Sequence, residues 1–200
     1  LAKALGVKFV PVNTQWPSII PALQAGRFDV IMSGMSITAK RRQRIDFSDP
    51  YMEIGQTILL HPKHQARVKS YKDLNHEGFS VASNPATTGE AAVKRLMPRC
   101  QYRPYGEEVE GARAVLKGEV DAFVYDLPCN AVFHALYGKN KLVFLDQPFT
   151  REALAWGIRK SDPDFKKFLN EFLQQLKADG RYERIYEKWF EKTDWHAYVR

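Results

Sequence analysis

The chain has 200 residues, 44% of them hydrophobic and 26% charged, with a formal net charge of +7. This length accommodates one large domain or two small lobes, and no apolar run approaches the ~20 residues that a membrane-spanning helix needs. The positive charge is spread along the chain. Its densest cluster, Lys40-Arg41-Arg42-Gln43-Arg44, lacks interleaved aromatics, so four of the five read as a solvated face and no nucleic acid is expected as a partner.

In chain order, Leu1-Ala2-Lys3-Ala4-Leu5-Gly6 reads as the last turns of a helix closed by glycine, with the expectation that a further segment, targeting sequence included, precedes it. Residues 8–12 alternate as a strand. Pro17 suits a first helical position, and that helix runs to Gly26 with Ile19, Ile20 and Leu23 inward. Residues 28–32 and 56–60 read as strands, the second broken by His61-Pro62-Lys63-His64. Further strands are predicted at 79–83, 101–105, 120–125, 142–145 and 153–159, and helices at 88–96, 107–116 and 128–137. Asp162-Pro163 caps a long helix with Phe165, Phe168, Leu169, Phe172, Leu173 and Leu176 at helical spacing, ended by Gly180. Tyr182, Ile185, Tyr186 and Trp189 mark a shorter one, and these aromatics read as core packing rather than a cofactor box.

Strands alternating with helices predict parallel sheets built from right-handed crossovers. Breaks near residues 61–70 and 146–152 predict two α/β lobes joined by two crossings. Residues 1–62 with 150–200 form the first lobe, and 63–149 are inserted as the second.

The chemistry concentrates in three places. An apolar strand ends in Ser33-Gly34-Met35-Ser36-Ile37-Thr38, and Arg41 follows. Gly34 lets a ligand approach the backbone, Ser36 and Thr38 offer hydroxyls, and the planar fork of Arg41 can grip two carboxylate oxygens. The plain alternative for Arg41 is a surface arginine like its neighbours. Ala86-Thr87-Thr88-Gly89-Glu90 lies between a strand and a helix, where N–H groups receive an anion; Thr87 or Thr88 can equally be a simple cap supported by Glu90. Asp126 closes a strand at the end where α/β folds bind ligands, and it either pairs with an ammonium group or caps the helix from Pro128. Asp121 reads as structural, Trp16 as a ligand contact or ordinary core, and Tyr51 as a weaker contact.

His61, His64, His76, His134 and His196 form no convincing metal site, because Pro62 disturbs the one helical spacing among them. Cys100 and Cys129 lack metal-ligand spacing and read as lying at opposite ends of a sheet, so no disulfide is expected. No nucleophile elbow, P-loop or dinucleotide fingerprint is present, and no cofactor is expected.

The run Ser33-Gly34-Met35-Ser36-Ile37-Thr38-Ala39-Lys40-Arg41, continued by Asp46-Phe47-Ser48, resembles the amino-acid-binding family 3 of bacterial extracellular solute-binding proteins. The resemblance covers essentially the whole chain: residues 16–41, Thr87-Thr88-Gly89-Glu90, residues 120–126 and Lys188-Trp189-Phe190. It departs in two places. Relatives begin with a strand and loop that this chain starts after, and they usually carry glycine where Ala86 stands, in a loop that Asn84-Pro85 makes slightly longer. The resemblance implies a two-lobed type II periplasmic-binding-protein fold, each lobe a central mostly parallel sheet flanked by helices, with two hinge crossings. It further implies an amino acid or similar zwitterion bound in the inter-lobe cleft, with Ser33, Gly34, Met35, Ser36 and Thr87 lining the pocket. Arg41 and Thr88 would sit on the ligand carboxylate, Asp126 on its ammonium and Trp16 against its side chain. The implied partner is the permease of an ABC importer, the location periplasmic or extracellular, the state monomeric and the role non-catalytic. Two alternatives share the fold: a cyclohexadienyl dehydratase, which needs a proton donor such as Asp126 or Glu90 beside the carboxylate clamp, and the ligand-sensing domain of a membrane receptor. Which amino acid is bound stays open.

Overall fold

The structure, a computed structural model, describes residues 1–138, 140–160 and 162–192. Its elements in chain order are α1 (Ala2–Leu5), α2 (Ile19–Gln24), β1 (Val30–Ile31), α3 (Ala39–Arg42), β2 (Asp46–Phe47), β3 (Met52–Ile54), β4 (Gln56–Leu60), β5 (Ser80–Ser83), α4 (Thr88–Leu96) and β6 (Gln101–Pro104). There follow α5 (Glu108–Leu116), β7 (Ala122–Asp126), α6 (Leu127–Tyr137), β8 (Val143–Leu145), β9 (Glu152–Leu154), β10 (Gly157–Ile158), α7 (Pro163–Ala178) and α8 (Arg181–Tyr186). The chain divides into two compact units, Leu1–Glu53 with the segment from Ala153 onward, and Ile54–Glu152. It passes from one to the other within β3 and β9, which pair with each other. β4 therefore belongs to the inserted unit, where a division at residue 62 would assign it to the first. Its hydrogen bonds to β7 and β8, not the chain break that follows it, decide its membership.

The inserted unit is built on a five-stranded sheet of order β6-β5-β7-β4-β8. β5 runs parallel to β6 and β7, and β4 runs antiparallel to β7 and β8, so β4 opposes the other four. Both faces are covered over β4, β5 and β7, which is why these strands are largely apolar, whereas the edge strand β6, Gln101-Tyr102-Arg103-Pro104, is mostly exposed. Ile58, Leu60, Val81, Ala122 and Val124 face one core with Leu74, Phe79, Val93 and Met97. Leu59, Ala82 and Phe123 face the other with Ala112, Val115, Phe133 and Leu142. Cys100 packs against the first core and Cys129 against the second, and both are free thiols. They lie at opposite ends of the sheet, as expected, Cys100 just before β6 and Cys129 just after β7, and on opposite faces of it as well.

Asp121, just before β7, ties the other end of this unit together. One carboxylate oxygen accepts from Ser80 N at 2.9 Å and Ser80 Oγ at 2.8 Å, and the other meets His64 Nε2 at 2.6 Å and Lys63 Nζ at 2.9 Å. Arg67, which can only donate, faces His64 Nδ1 at 3.1 Å, so the ring proton lies on Nε2, toward Asp121. His61 and His64 thus serve a short 3-10 turn over Pro62–His64. His196 lies outside the described residues.

The first unit has a three-stranded sheet in which β10 lies between β1 and β2 and runs antiparallel to both. Ile19, Ile20 and Leu23 of α2 pack on Ile31, Met35, Ile45 and Phe47. α7 buries Leu169, Phe172 and Leu173, and the Asp162 side chain caps it by accepting from Phe165 N. The single strand expected over 153–159 is two strands, β9 and β10, with Ala155 and Trp156 between them.

Two expectations fail in this unit. Residues 8–12 join no ladder among the described residues, and Phe9 and Val10 are 72% and 65% exposed. Alternation makes a segment competent for a strand, but a strand exists only where neighbouring groups take its N–H and C=O. With residues 27–33 this segment lines an apolar cavity of about 770 Å³. Ile185, Tyr186 and Trp189, read as core, are exposed by 40–51%. Helical spacing gives α8 an apolar face without supplying anything to cover it.

Candidate functional site

In the first unit the arginine turn is fixed by backbone before any side chain acts. Gly34 has φ 62°, a left-handed conformation that a side chain makes costly. Beyond it, Ile37 N donates to Ala153 O at 2.8 Å and Ala155 N donates to Met35 O at 3.1 Å, pinning residues 35–37 beside β9. Thr38 then starts α3, and its hydroxyl accepts from Arg41 N at 3.2 Å. That cap sets where Arg41 emerges. Its Nη1 donates to Ser36 O at 2.8 Å, and its guanidinium carbon lies 5.2 Å from the centre of the Trp16 ring.

Arg41 is half-buried, whereas Lys40, Arg42, Gln43 and Arg44 are exposed. The structure therefore brings Trp16, Ser36, Thr38 and Arg41 into one cluster, with Ser33 exposed at its approach. Met35 differs from its expected role. Its side chain is 1% exposed and belongs to the core, so only its backbone faces the turn. Tyr51 sits elsewhere in this unit, its ring 6.1 Å from that of Trp156 and its N–H on Leu154 O.

The inserted unit gathers a second cluster at the carboxyl ends of β5 and β7. Thr87 is the N-cap of α4: its hydroxyl accepts from Glu90 N at 3.2 Å and donates to Asn84 O at 2.6 Å. Glu90 reaches back to accept from Ala86 N at 2.7 Å, and this reciprocal pair holds Ala86 at φ 63°. Burial opposes ionisation of Glu90, but its bonds to Lys94 and Ala86 N–H outweigh it and hold the carboxyl below the usual range. Thr88 follows as the first residue of the helix, its hydroxyl 3.4 Å from Gln56 Nε2.

Asp126 stands at the N-cap position of α6 but makes no side-chain capping bond. Its Oδ1 instead accepts from Gln56 Nε2 at 2.6 Å. The same nitrogen lies 3.0 Å from Glu152 Oε1, which also accepts from Thr150 Oγ1 at 2.8 Å. Gln56 is fully buried, and its backbone N donates to Thr150 Oγ1 at 2.8 Å. Gly89 completes the packing. A Cβ there would stand 2.6 Å from Ser83 Oγ and 2.9 Å from Gln56 Oε1, two buried atoms without a hydrogen-bond partner among the described residues.

Gln56 and Glu152 were not among the residues the sequence singled out. Gln56 heads a strand that is otherwise apolar but for Thr57, so it signals a buried polar group needing partners, but no local pattern names them. Chemically, the first cluster presents a fixed guanidinium suited to a carboxylate. The second presents a helix N-terminus suited to an anion and a carboxylate suited to a cation. Burial, and then the Glu108 and Asp126 carboxylates, push the Tyr125 hydroxyl and the Cys129 thiol well above their usual ranges. Both are therefore neutral groups rather than nucleophiles.

Residues 1–192 match the family described as bacterial extracellular solute-binding proteins, family 3. The chain is 35% identical over 206 residues to the probable histidine-binding protein of Neisseria gonorrhoeae, covering 98% of this chain and 74% of that protein. It is 32% identical over 174 residues to the ABC transporter glutamine-binding protein GlnH of Bacillus subtilis, covering 86% of this chain and 62%, under two thirds, of that protein's length. Among solved structures, a binding component of an ABC transporter from Wolinella succinogenes, complexed with lysine, superposes with a TM-score of 0.94 at 43% identity, covering 97% of this chain and 83% of the other. Relatives of this similarity carry the type II periplasmic-binding-protein fold, and the mixed α/β sheets flanked by helices described above agree with it. The chain belongs to the family 3 bacterial extracellular solute-binding proteins.

Proposed function

We propose that this protein is a non-catalytic receptor for an amino acid, a basic one first, and that it delivers its ligand to an ABC importer outside the cytoplasmic membrane. The observation that carries the reading is Arg41, half-buried and held by Ser36 O and the Trp16 face, in a turn shaped by Gly34. An arginine fixed in this way keeps its fork ready for a carboxylate at little further entropic cost. The second cluster supplies what the rest of an amino acid requires: N–H groups at the start of α4 and Thr88 for the carboxylate, and Asp126 for the ammonium. A ligand would favour a closed form by hinge motion only to the extent that the closed form makes contacts the open form lacks. The preference for a basic ligand draws support from the lysine held by the Wolinella relative and from Glu152, a second carboxylate on the amide that holds Asp126.

A thermal-shift screen of the twenty amino acids against the purified chain tests this reading, since a ligand that binds only the native state raises the midpoint. Lysine, arginine or histidine is expected to give the largest rise, and Arg41→Ala to remove it. Turnover of prephenate by the wild type would instead select the dehydratase alternative. A flat screen would sink the amino-acid reading.

A further inference from the structure

Gln56 is neither a charged group nor a surface residue, yet one nitrogen of its side chain lies 2.6 Å from Asp126 Oδ1 and 3.0 Å from Glu152 Oε1. We propose that Gln56 is the positioning residue of the ammonium-binding end of the site, the group that aims Asp126 at the ligand instead of letting it cap its own helix. This inference rests on the amino-acid reading and concerns how that site is held.

Three observations carry it. Asp126 occupies the N-cap of α6, where an aspartate normally bonds the N–H groups of the first turn, and it makes no such bond. Its Oδ1 instead accepts from the Gln56 amide at 2.6 Å. Second, the amide can point only one way. The reverse orientation would aim its carbonyl at two carboxylates, so the geometry fixes the nitrogen toward Asp126 and Glu152. Third, Gln56 cannot drift. It is 0% exposed, its N–H donates to Thr150 Oγ1, its C=O accepts from Phe149 N at 3.0 Å, and its side chain packs beside Gly89.

A neutral amide suits this task chemically. A lysine or arginine here would pair with Asp126 and compete with the ligand ammonium, whereas an amide orients the carboxylate without adding a charge. Glu152 adds to the effect: it shares the same nitrogen, so a second negative group lies close to the seat of the ammonium. Outer partners that orient metal ligands change affinity about 10–100-fold when removed, and a loss of that order is expected where an amide orients a carboxylate.

The test compares ligands that differ only in the ammonium group. Calorimetry on the full chain would use L-lysine, L-histidine and L-glutamine, each against its α-deaminated acid. Gln56→Met, similar in size but without a donor, is expected to lose roughly 10–100-fold in affinity for the amino acid while binding the deaminated acid within about threefold of wild type. Gln56→Glu is the conservative control. Its carboxyl, when protonated, has one proton to donate to Asp126, so affinity for the amino acid should recover in part as pH falls toward about 5 and drop again near neutrality. An equal loss for both members of a pair, with no recovery in Gln56→Glu, would assign Gln56 a merely structural role and overturn the proposal. Wild-type affinity in Gln56→Met would overturn it as well. Should the wild type bind none of the three amino acids, the amino-acid reading itself falls, a result separable from the other two.

Discussion

Arg41 sits with its guanidinium carbon 5.2 Å from the centre of the Trp16 ring while its Nη1 donates to Ser36 O at 2.8 Å. The ring face and the carbonyl together hold the arginine in one orientation, and Thr38 sets its backbone by capping α3. Removing the charge should therefore abolish recognition of a carboxylate. Arg41→Ala is expected to cost at least roughly 30-fold in affinity, and Arg41→Lys a comparable loss, because an ammonium cannot grip two oxygens at once. Trp16→Ala should cost about tenfold by loosening the arginine. Titration calorimetry reads all three.

Gly89 has no room for a side chain. A Cβ there would meet Ser83 Oγ at 2.6 Å, Gln56 Oε1 at 2.9 Å and Val124 O at 3.1 Å. Gly89→Ala is expected to destabilise the fold by about 1–3 kcal/mol, measured by urea unfolding. It should also weaken ligand binding through displacement of Gln56.

Ala86 is the one residue other than glycine with a positive φ among the described residues, at 63°. The left-handed conformation costs an alanine about 1–2 kcal/mol, and glycine's extra freedom in the unfolded chain costs about 0.4–1 kcal/mol. Ala86→Gly should thus be stabilising by somewhat under 1 kcal/mol, seen as a higher denaturation midpoint at unchanged slope.

Asp121 links stability to acid pH. Burial alone would raise its carboxyl, but Ser80 N–H, His64 and Lys63 outweigh that and hold it well below the usual range. A carboxyl depressed in the folded state contributes stability above its unfolded value, ~3.9, and loses it as pH falls toward the folded value. Asp121→Asn should cost roughly 1–3 kcal/mol near neutrality. The gap between wild type and variant should shrink steadily below about pH 4, and a gap independent of pH would contradict the linkage.

Cys100 and Cys129 pack against opposite faces of the inserted sheet, and burial pushes both thiols above their usual range. A thiol reagent should react slowly with the native protein near pH 7 and with two thiols once it is denatured. Fewer than two in denaturant would indicate a disulfide and contradict this packing.

Legibility in the sequence followed how local each signal is. α4 begins at Thr88 because Thr87, Glu90 and the glycine beside them act within one turn, and that helix was readable to the residue. The capped turn that carries Arg41 was readable for the same reason, since its cap, its glycine and its carbonyl anchor all lie within eight residues of Arg41. Residues 8–12 and α8 were misread because their fate depends on partners distant in the chain. β4 itself was readable as a strand, but the same distance hid which unit it joins, because its neighbours β7 and β8 lie far along the sequence from it.

By itself the sequence determined the main helices and the strands of the inserted unit, the arginine turn, the cap of α4 and the family. These depend on backbone preference, on side chains a few residues apart and on a continuous run of motif residues. Only the tertiary structure decided that Asp126 bonds Gln56 and not its own helix, and that Glu152 joins it there. The physical reason is that a buried amide must find its partners wherever the fold brings them. Here the fold draws them from 70 and 96 residues away.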